Sequence, residues 1–409
     1  MPGKPSKTAL VLAGGGLTGA MYEIGALRAI NDLLLDRTVN DIDIFIGTSA
    51  GAIVASSLAN GLSPEEMMQA NAGFNPDIRP IRRQDLFNLS RTELLYRLAR
   101  FPQTVLGAWS HYFRHMDDMS LFDLLWSLLE ALPSGFYDGL ALERYLRETL
   151  LKTHSANCFD QIEKELYIIA TDLDTGERAV FGRGYLDAPI SLAVAASSAL
   201  PVVYKPVRID KREYVDGGMR GNASLDLAIE HGAKLVICIN PLVPFDNSDH
   251  NVPLLGPDGG YLSAKGLQAI TNQVTRINLH SGLHYHIKQL RRSHPDVDII
   301  LIEPRPDDRQ MFFYNVMRYS ARLIIARHGF ESVTLDLAEE YPRFKATLGR
   351  HGIPISRRRV IEELAAIHDS GDNPNVVRDI LETGKLPNAS TAEHLRDTLT
   401  DLDALLANL

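Results

Sequence analysis

The sequence predicts an α/β fold with a mostly parallel central sheet covered by helices on both faces. Short apolar runs alternate with longer stretches of helical spacing along most of the chain, the pattern of successive strand–helix units. Runs such as Asp43-Ile44-Phe45-Ile46 and Leu235-Val236-Ile237-Cys238-Ile239 read as buried strands. The segments carrying Gly14, Ser49 and Asp216 each follow directly on such a run. That is where open α/β sheets place their sites, beyond the carboxyl ends of strands. Strands are expected at 8–13, 42–46, 166–172, 177–181, 213–216, 234–239 and 297–302. Helices are expected near 19–35, 50–60, 140–151, 189–199, 223–231, 262–292 and 311–335.

The first strand, Thr8 to Ala13, runs into Gly14-Gly15-Gly16-Leu17-Thr18-Gly19. A helix follows from Ala20 to Leu35, with Met21, Ile24, Leu27, Ile30 and Leu34 on one face. Gly14, Gly16 and Gly19 match the dinucleotide fingerprint G-x-G-x-x-G. That reading requires an acid at the end of the next strand to hold a ribose hydroxyl. The next strand ends in Gly47-Thr48-Ser49 instead, which disfavours a nucleotide site. The other use of glycines after a strand is to offer bare backbone N–H groups to an oxyanion.

Gly47-Thr48-Ser49-Ala50-Gly51 lies between that second strand and the apolar helical run from Ala52 to Leu58. This is the strand–turn–helix setting of a G-x-S-x-G nucleophile elbow. Gly47 and Gly51 remove the side chains that a strained turn could not accommodate. Ser49 then stands at a helix amino end, which favours developing negative charge. The plainer alternative is a glycine-flanked helix start with Ser49 as its cap.

From Ser63-Pro64 to Ser134-Gly135 the strand–helix rhythm stops, leaving an insertion of ~70 residues that is expected to be helical or functional. Arg79, Arg82, Arg83, Arg91, Arg97, Arg100 and Arg114 there outnumber Asp85 and Glu93. Val105, Leu106, Trp109, Tyr112 and Phe113 are spaced as one helical face. A cap helix seated on a lipid surface has this composition; so does an amphipathic helix packed on the sheet. Further on, Tyr214-Val215-Asp216-Gly217-Gly218-Met219 places an acid before two glycines. It reads either as a carboxylate open to close approach or as a D-G hairpin turn.

Four motifs in order, the Gly14–Gly19 loop, Gly47–Gly51, Ala196-Ser197-Ser198-Ala199-Leu200-Pro201 and Asp216-Gly217-Gly218, resemble the patatin-like phospholipase family. The likeness spans roughly residues 7 to 335. It implies a three-layer α/β/α sandwich related to α/β-hydrolases, and a Ser–Asp dyad without histidine. Carried over, it makes Ser49 the nucleophile and Asp216 the base. Gly14, Gly15 and Gly16 become oxyanion donors with Ala50, and Gly19, Gly47, Gly51, Gly217 and Gly218 shape the motifs. One position departs: family members commonly carry Lys or Arg where this chain has Thr18. A contact to an anionic head group is thereby lost, and neutral esters or acylglycerols gain weight. The implied activity is cleavage of lipid carboxylic esters through an acyl-enzyme, without metal or organic cofactor. An acyltransferase or transacylase on the same serine, and a nucleotide-binding regulatory protein, are the alternatives.

A histidine triad would draw on His231, His250, His280, His284 or His286, which follow the acid in the chain. His280 and His284 share a helix face, with His286 off it. No cysteine pair or H-E-x-x-H accompanies them, so they read as solvated helix residues rather than metal ligands. The two cysteines, Cys158 and Cys238, make no zinc pattern or disulfide framework. A net charge of −9 opposes general nucleic-acid binding. No stretch approaches the ~20 apolar residues of a membrane span, and the expected location is cytoplasmic, with peripheral membrane contact through 79–115. No feature assigns an oligomeric state.

Domain organisation is expected as an acyl-hydrolase unit at 1–335, with 63–135 as a helical cap, and a helical extension at 336–409. The extension opens with Arg343, Lys345, Arg350, Arg357, Arg358 and Arg359 and ends with Asp397, Asp401 and Asp403. A short helix started by Thr391 is expected over 390–409. A solvated helical coat is the expectation for this part, with an interaction appendage or an oligomer contact as alternatives.

Overall fold

A computed structural model describes residues 6–90, 102–103, 105–107, 109–115, 118, 120, 123, 132–153, 155–248, 260–371 and 373–383. Among these residues the strands are β1 Thr8–Leu12, β2 Ile44–Thr48, β3 Gly135–Tyr137, β4 Glu165–Asp172 and β5 Arg178–Gly182. They continue with β6 Val202–Tyr204, β7 Val207–Ile209, β8 Arg212–Asp216, β9 Leu235–Ile239 and β10 Asp298–Ile302. The helices are α1 Gly16–Leu33, α2 Ala50–Ala59, α3 Pro64–Ala72, α4 Arg83–Leu86, α5 Leu140–Lys152, α6 Ile190–Ser197 and α7 Leu225–Glu230. The later ones are α8 Leu267–Ser293, α9 Arg309–Phe313, α10 Arg322–Glu339, α11 Tyr341–Arg350, α12 Arg358–Asp369 and α13 Pro374–Thr383.

The main sheet runs β10-β9-β1-β2-β4-β8-β7, with β5 also paired to β4. Strands β10, β9, β1, β2 and β4 are parallel, while β5 and β8 run antiparallel to β4. Successive residues of β1 feed opposite cores: Leu10 and Leu12 join one, Ala9 and Val11 the other. The first core is closed by α1, α2, α6 and α10 through Leu27, Leu58, Val194 and Phe330. The second is closed by α7 and α8 through Leu227, Leu283 and Ile287. The fold is therefore the three-layer α/β/α sandwich with a mostly parallel sheet.

Several boundaries differ from expectation for identifiable reasons. Strand β2 covers 44–48 rather than 42–46, because its parallel pairing continues through Gly47 against Leu12 and Thr48 against Ile169. Its entry is tied by Asp43, which accepts from Thr8 N and Thr8 Oγ1 at 2.7 and 2.9 Å. The expected helix 262–292 is divided at Gly266, whose φ of +79° ends a short turn before α8 begins. The expected helix 311–335 is interrupted between α9 and α10. Strands β3, β6 and β7 carried no recognisable alternation and are additions.

The insertion begins with α3, capped by Ser63 Oγ accepting from Glu66 N while Glu66 Oε2 accepts from Ser63 N. In the remainder, Leu106, Trp109 and Phe113 are exposed, so these residues are not seated in the core. Arg91, Glu93, Arg97 and Arg100 lie outside the described residues. The C-terminal expectation of a solvated coat is not met where the chain is described. Leu348, Val360, Ile367 and Ile380 are buried in the first core, because α12 packs on α1 and α13 on α3. Thr391, Asp397, Asp401 and Asp403 lie outside the described residues. No helix among the described residues is long and apolar enough to cross a membrane.

Candidate active site

Ser49 occupies the turn between β2 and α2 with φ 54° and ψ −120°, a conformation that costs a non-glycine residue strain. The surroundings enforce it. Ser197 Oγ accepts from Ser49 N at 2.8 Å and donates to Ile169 O at 2.5 Å. Ser198 Oγ donates to Ser49 O at 3.2 Å. The Ala196–Pro201 motif thus braces the elbow from α6. Gly51 permits the approach of α2 to β1, since a Cβ there would meet Leu12 O at 2.4 Å.

Asp216 ends β8, and Ser49 Oγ donates to its Oδ2 at 2.5 Å. Gly218 N donates to Oδ1 at 2.8 Å. Thr171 Oγ1 donates to the Asp216 carbonyl and Asp216 N donates to Ala199 O, fixing the strand end. Asp216 is buried, with no cation beside it among the described residues. Burial pushes its carboxyl up to about 6, against the opposing pull of the Ser49 and Gly218 hydrogen bonds.

The glycine loop lies across from this pair, on the same cavity. Gly14 N donates to Asn222 Oδ1 at 3.1 Å and to Asn222 O at 3.3 Å. That corrects the expectation that its amide is bare. Gly15 opens α1 and Gly16 takes φ +62°, with Val316 O at 2.8 Å from where its Cβ would stand. The amides of Gly15, Gly16 and Ala50 have no acceptor among the described residues. The amino ends of α1 and α2 therefore converge where an anion would sit. Thr18 is buried, and its amide donates to Val316 O at 3.1 Å.

The cavity has a volume of about 1120 Å³ and its walls are largely apolar, with Leu17, Ile53, Leu86, Leu142, Leu279 and Phe312 among them. This exceeds the ~300–1,000 Å³ of ordinary small-molecule sites. Arg276 also lines it, yet all three guanidinium nitrogens donate to protein atoms: Asn272 Oδ1, Val243 O and Met311 O. Burial pushes that guanidinium down to about 10.

Among the described residues no histidine lines the cavity. His231 bonds Tyr167 and Tyr185, His280 and His284 face Glu303, and His286 faces Asp226. His250 lies outside the described residues. Sequence reasoning missed Asn222 and Arg276 and left Ser197 without a role. Asn222 and Arg276 carry no local pattern to flag them; Ser197 stands in the Ala196–Pro201 motif, but its contact with Ser49 shows only in the fold.

The patatin-like phospholipase family model matches residues 10–229. This chain belongs to the patatin-like phospholipase family. Membership places it among lipid acyl hydrolases. A probable lipid hydrolase, 463L, of Invertebrate iridescent virus 6 is 24% identical over 55% of this chain and 64% of its own length. Protein R571 of Acanthamoeba polyphaga mimivirus is 26% identical over 71% of this chain and 82% of its own. An NTE family protein of Mycobacterium tuberculosis is 24% identical over 61% of this chain, but only 33% of its own length is spanned. Among solved structures, VipD from Legionella pneumophila aligns over 95% of this chain and 82% of its own at 14% identity, with a TM-score of 0.33.

Proposed function

We propose that this chain cleaves lipid carboxylic esters through a Ser49–Asp216 dyad and an acyl-enzyme intermediate. The observation that carries the reading is the 2.5 Å hydrogen bond from the strained Ser49 to a buried carboxylate, at the wall of an apolar cavity. As Ser49 Oγ attacks the acyl carbonyl, Asp216 Oδ2 takes its proton. The amides of Gly15, Gly16 and Ala50 receive the oxyanion, each donor typically worth about 2.7–4 kcal/mol. Asp216 returns the proton to the departing alcohol, then draws one from the attacking water and passes it to Ser49 Oγ as the acid leaves. Gly14 holds the loop through Asn222 rather than donating to substrate, while Gly19, Gly47, Gly51, Gly217 and Gly218 shape the motifs. We take the hydrolase unit as residues 1–335 with 63–135 as its cap, and 336–409 as an extension whose described helices pack on the same core.

The substrate we infer is a long-chain ester with a neutral head group. Thr18 supplies no charge, and each guanidinium nitrogen of Arg276 already donates to a protein atom. Fluorophosphonate labelling mapped by peptide mass should place the adduct on Ser49, and Ser49→Ala should abolish both labelling and ester hydrolysis. Monoacylglycerol should turn over faster than phosphatidylglycerol. Labelling elsewhere, with hydrolysis intact in Ser49→Ala, would sink the reading.

The insertion 79–115 is proposed as the contact with a lipid surface. Leu106, Trp109 and Phe113 are exposed beside Arg114, and Arg82 and Arg83 are exposed at the start of α4. Attraction to anionic lipid amounts to about 1 kcal/mol per charge near the surface and is screened within ~10 Å at 0.1 M ionic strength. Wild type should sediment with phosphatidylserine vesicles more than Arg82→Glu/Arg83→Glu, and less so at high salt. Equal partitioning of the two removes the proposal.

A further inference from the structure

His280 and His284 stand one turn apart on α8, and the fold supplies a partner that the sequence did not reveal. Glu303 follows β10 directly, and its Oε2 lies 2.8 Å from His284 Nε2 and 3.5 Å from His280 Nε2. The two imidazole rings are 4.0 Å apart between centroids. One ligand atom from each of the three residues lies within 4.8 Å of the other two. Two imidazole nitrogens and a carboxylate oxygen converging on one point form a donor set suited to a divalent transition metal.

Two further observations separate this cluster from a surface ion pair. The second oxygen of Glu303 accepts from Asn240 Nδ2 at 2.7 Å, leaving Oε2 to face the imidazoles. An outer hydrogen bond of this kind orients a ligating carboxylate. Asn240 is itself buried and fixed, its Oδ1 accepting from Asn222 Nδ2 at 2.8 Å and from Leu242 N at 3.2 Å. The cluster also opens to one side: the Glu303 side chain is 15% exposed and that of His284 47%. Three protein ligands with an outward position free for water is a familiar zinc arrangement.

We propose that His280, His284 and Glu303 bind one divalent transition-metal ion of the zinc class, with water as the fourth ligand and Asn240 as the positioning residue. The second shell continues inward. Asn222, bonded to Asn240, accepts from Gly14 N at 3.1 Å, so three successive hydrogen bonds join Glu303 to the glycine loop. The site stands apart from Ser49 and Asp216 and does not depend on the proposed reaction.

The test is titration of the full chain with cobalt(II), followed by its visible d–d absorption, and with zinc chloride by calorimetry. Wild type should bind one ion and give a saturating cobalt spectrum. His280→Gln/His284→Gln, two changes on a partly exposed helix face, should lose that spectrum and weaken zinc binding at least ~100-fold. Asn240→Ala should weaken it about 10–100-fold while leaving the ligands in place. His286→Gln is the matched control, since His286 faces Asp226 at 3.6 Å instead, and should bind as wild type does. Circular dichroism establishes that each variant is folded. Unchanged affinity in the double histidine variant, or an equal loss in His286→Gln, overturns the site.

Discussion

Asp216 and Glu363 are both buried carboxyl groups, yet the molecule surrounds them in opposite ways. Asp216 borders a cavity, bonded to a serine hydroxyl and one backbone amide, with no cation beside it. Glu363 lies between two arginines: Arg28 Nη2 is 3.2 Å and Arg359 Nε 3.1 Å from its Oε1. Arg28 also pairs with Asp32 and with Glu65, and Arg359 reaches Asp32 at 3.0 Å. The difference matches the role proposed for each carboxyl. An arginine against Asp216 would hold it ionised and weaken it as a base. Charge left unpaired around Glu363 would destabilise the packing of α12 on α1. Pairing marks the structural cluster; its absence marks the carboxyl proposed as the base.

The largest test of that contrast is Asp216→Asn. The amide keeps the shape but cannot take a proton, so hydrolysis should fall about 10²–10⁴-fold. Combining it with Ser49→Ala should cost little more, because the two act as one unit. Wild-type kcat/KM should rise with pH through about 6, as the Asp216 carboxyl loses its proton. Stability should move the other way. A carboxyl raised in the folded state contributes stability that is present below its unfolded pKa and lost as pH rises through about 6. Asp216→Asn should therefore be no less stable than wild type at pH 7 by thermal melting. An activity profile flat between pH 5 and 7, or a variant that is active or markedly less stable, would break the comparison.

Legibility in the sequence follows the same division. Ser49 stood out because its turn demands glycine neighbours, which leaves a local signature, whereas Asp216 read equally as a hairpin turn and took its expected role from the family resemblance. A mostly parallel sheet was implied by strand–helix alternation, and the parallel strands fell within two residues of expectation, but their order in the sheet was not implied. Asn222 and Asn240 left no such trace, and the Ala196–Pro201 motif did not reveal what Ser197 holds. Each holds the site through side-chain hydrogen bonds to residues distant in the chain. The C-terminal segment misled for a related reason. Its arginines suggest a solvated surface, whereas Arg359 turns toward Asp32 and Glu363, and Val360 and Ile380 enter the core. The break before α10 was equally hidden, although its Val316 carbonyl receives the Thr18 amide.

A smaller effect, on stability alone, is expected from Arg28→Leu. The guanidinium is fully buried, and besides its three carboxylates it donates to Ile380 O at 3.3 Å and lies over the Phe330 ring. Leucine fills part of the volume but leaves Asp32 and Glu363 facing each other in the interior. Breaking a buried pair from one side typically costs about 3–5 kcal/mol. Arg359 remains bonded to both acids, so the lower end, about 3 kcal/mol, is the expectation. Burial and the neighbouring Asp32 already push the Glu363 carboxyl up. With its folded pKa raised, its contribution to stability is present at low pH and lost as pH rises. The loss in Arg28→Leu should therefore be larger at pH 8 than at pH 5, and Glu363→Gln on that background should recover part of it. Guanidinium denaturation at the two pH values measures both effects. Ester hydrolysis per folded molecule should stay near wild type, because none of these side chains lines the cavity. A variant that melts like wild type would mean the arginine contributes nothing net. One that folds normally yet loses hydrolysis would mean the cluster and the cavity are coupled.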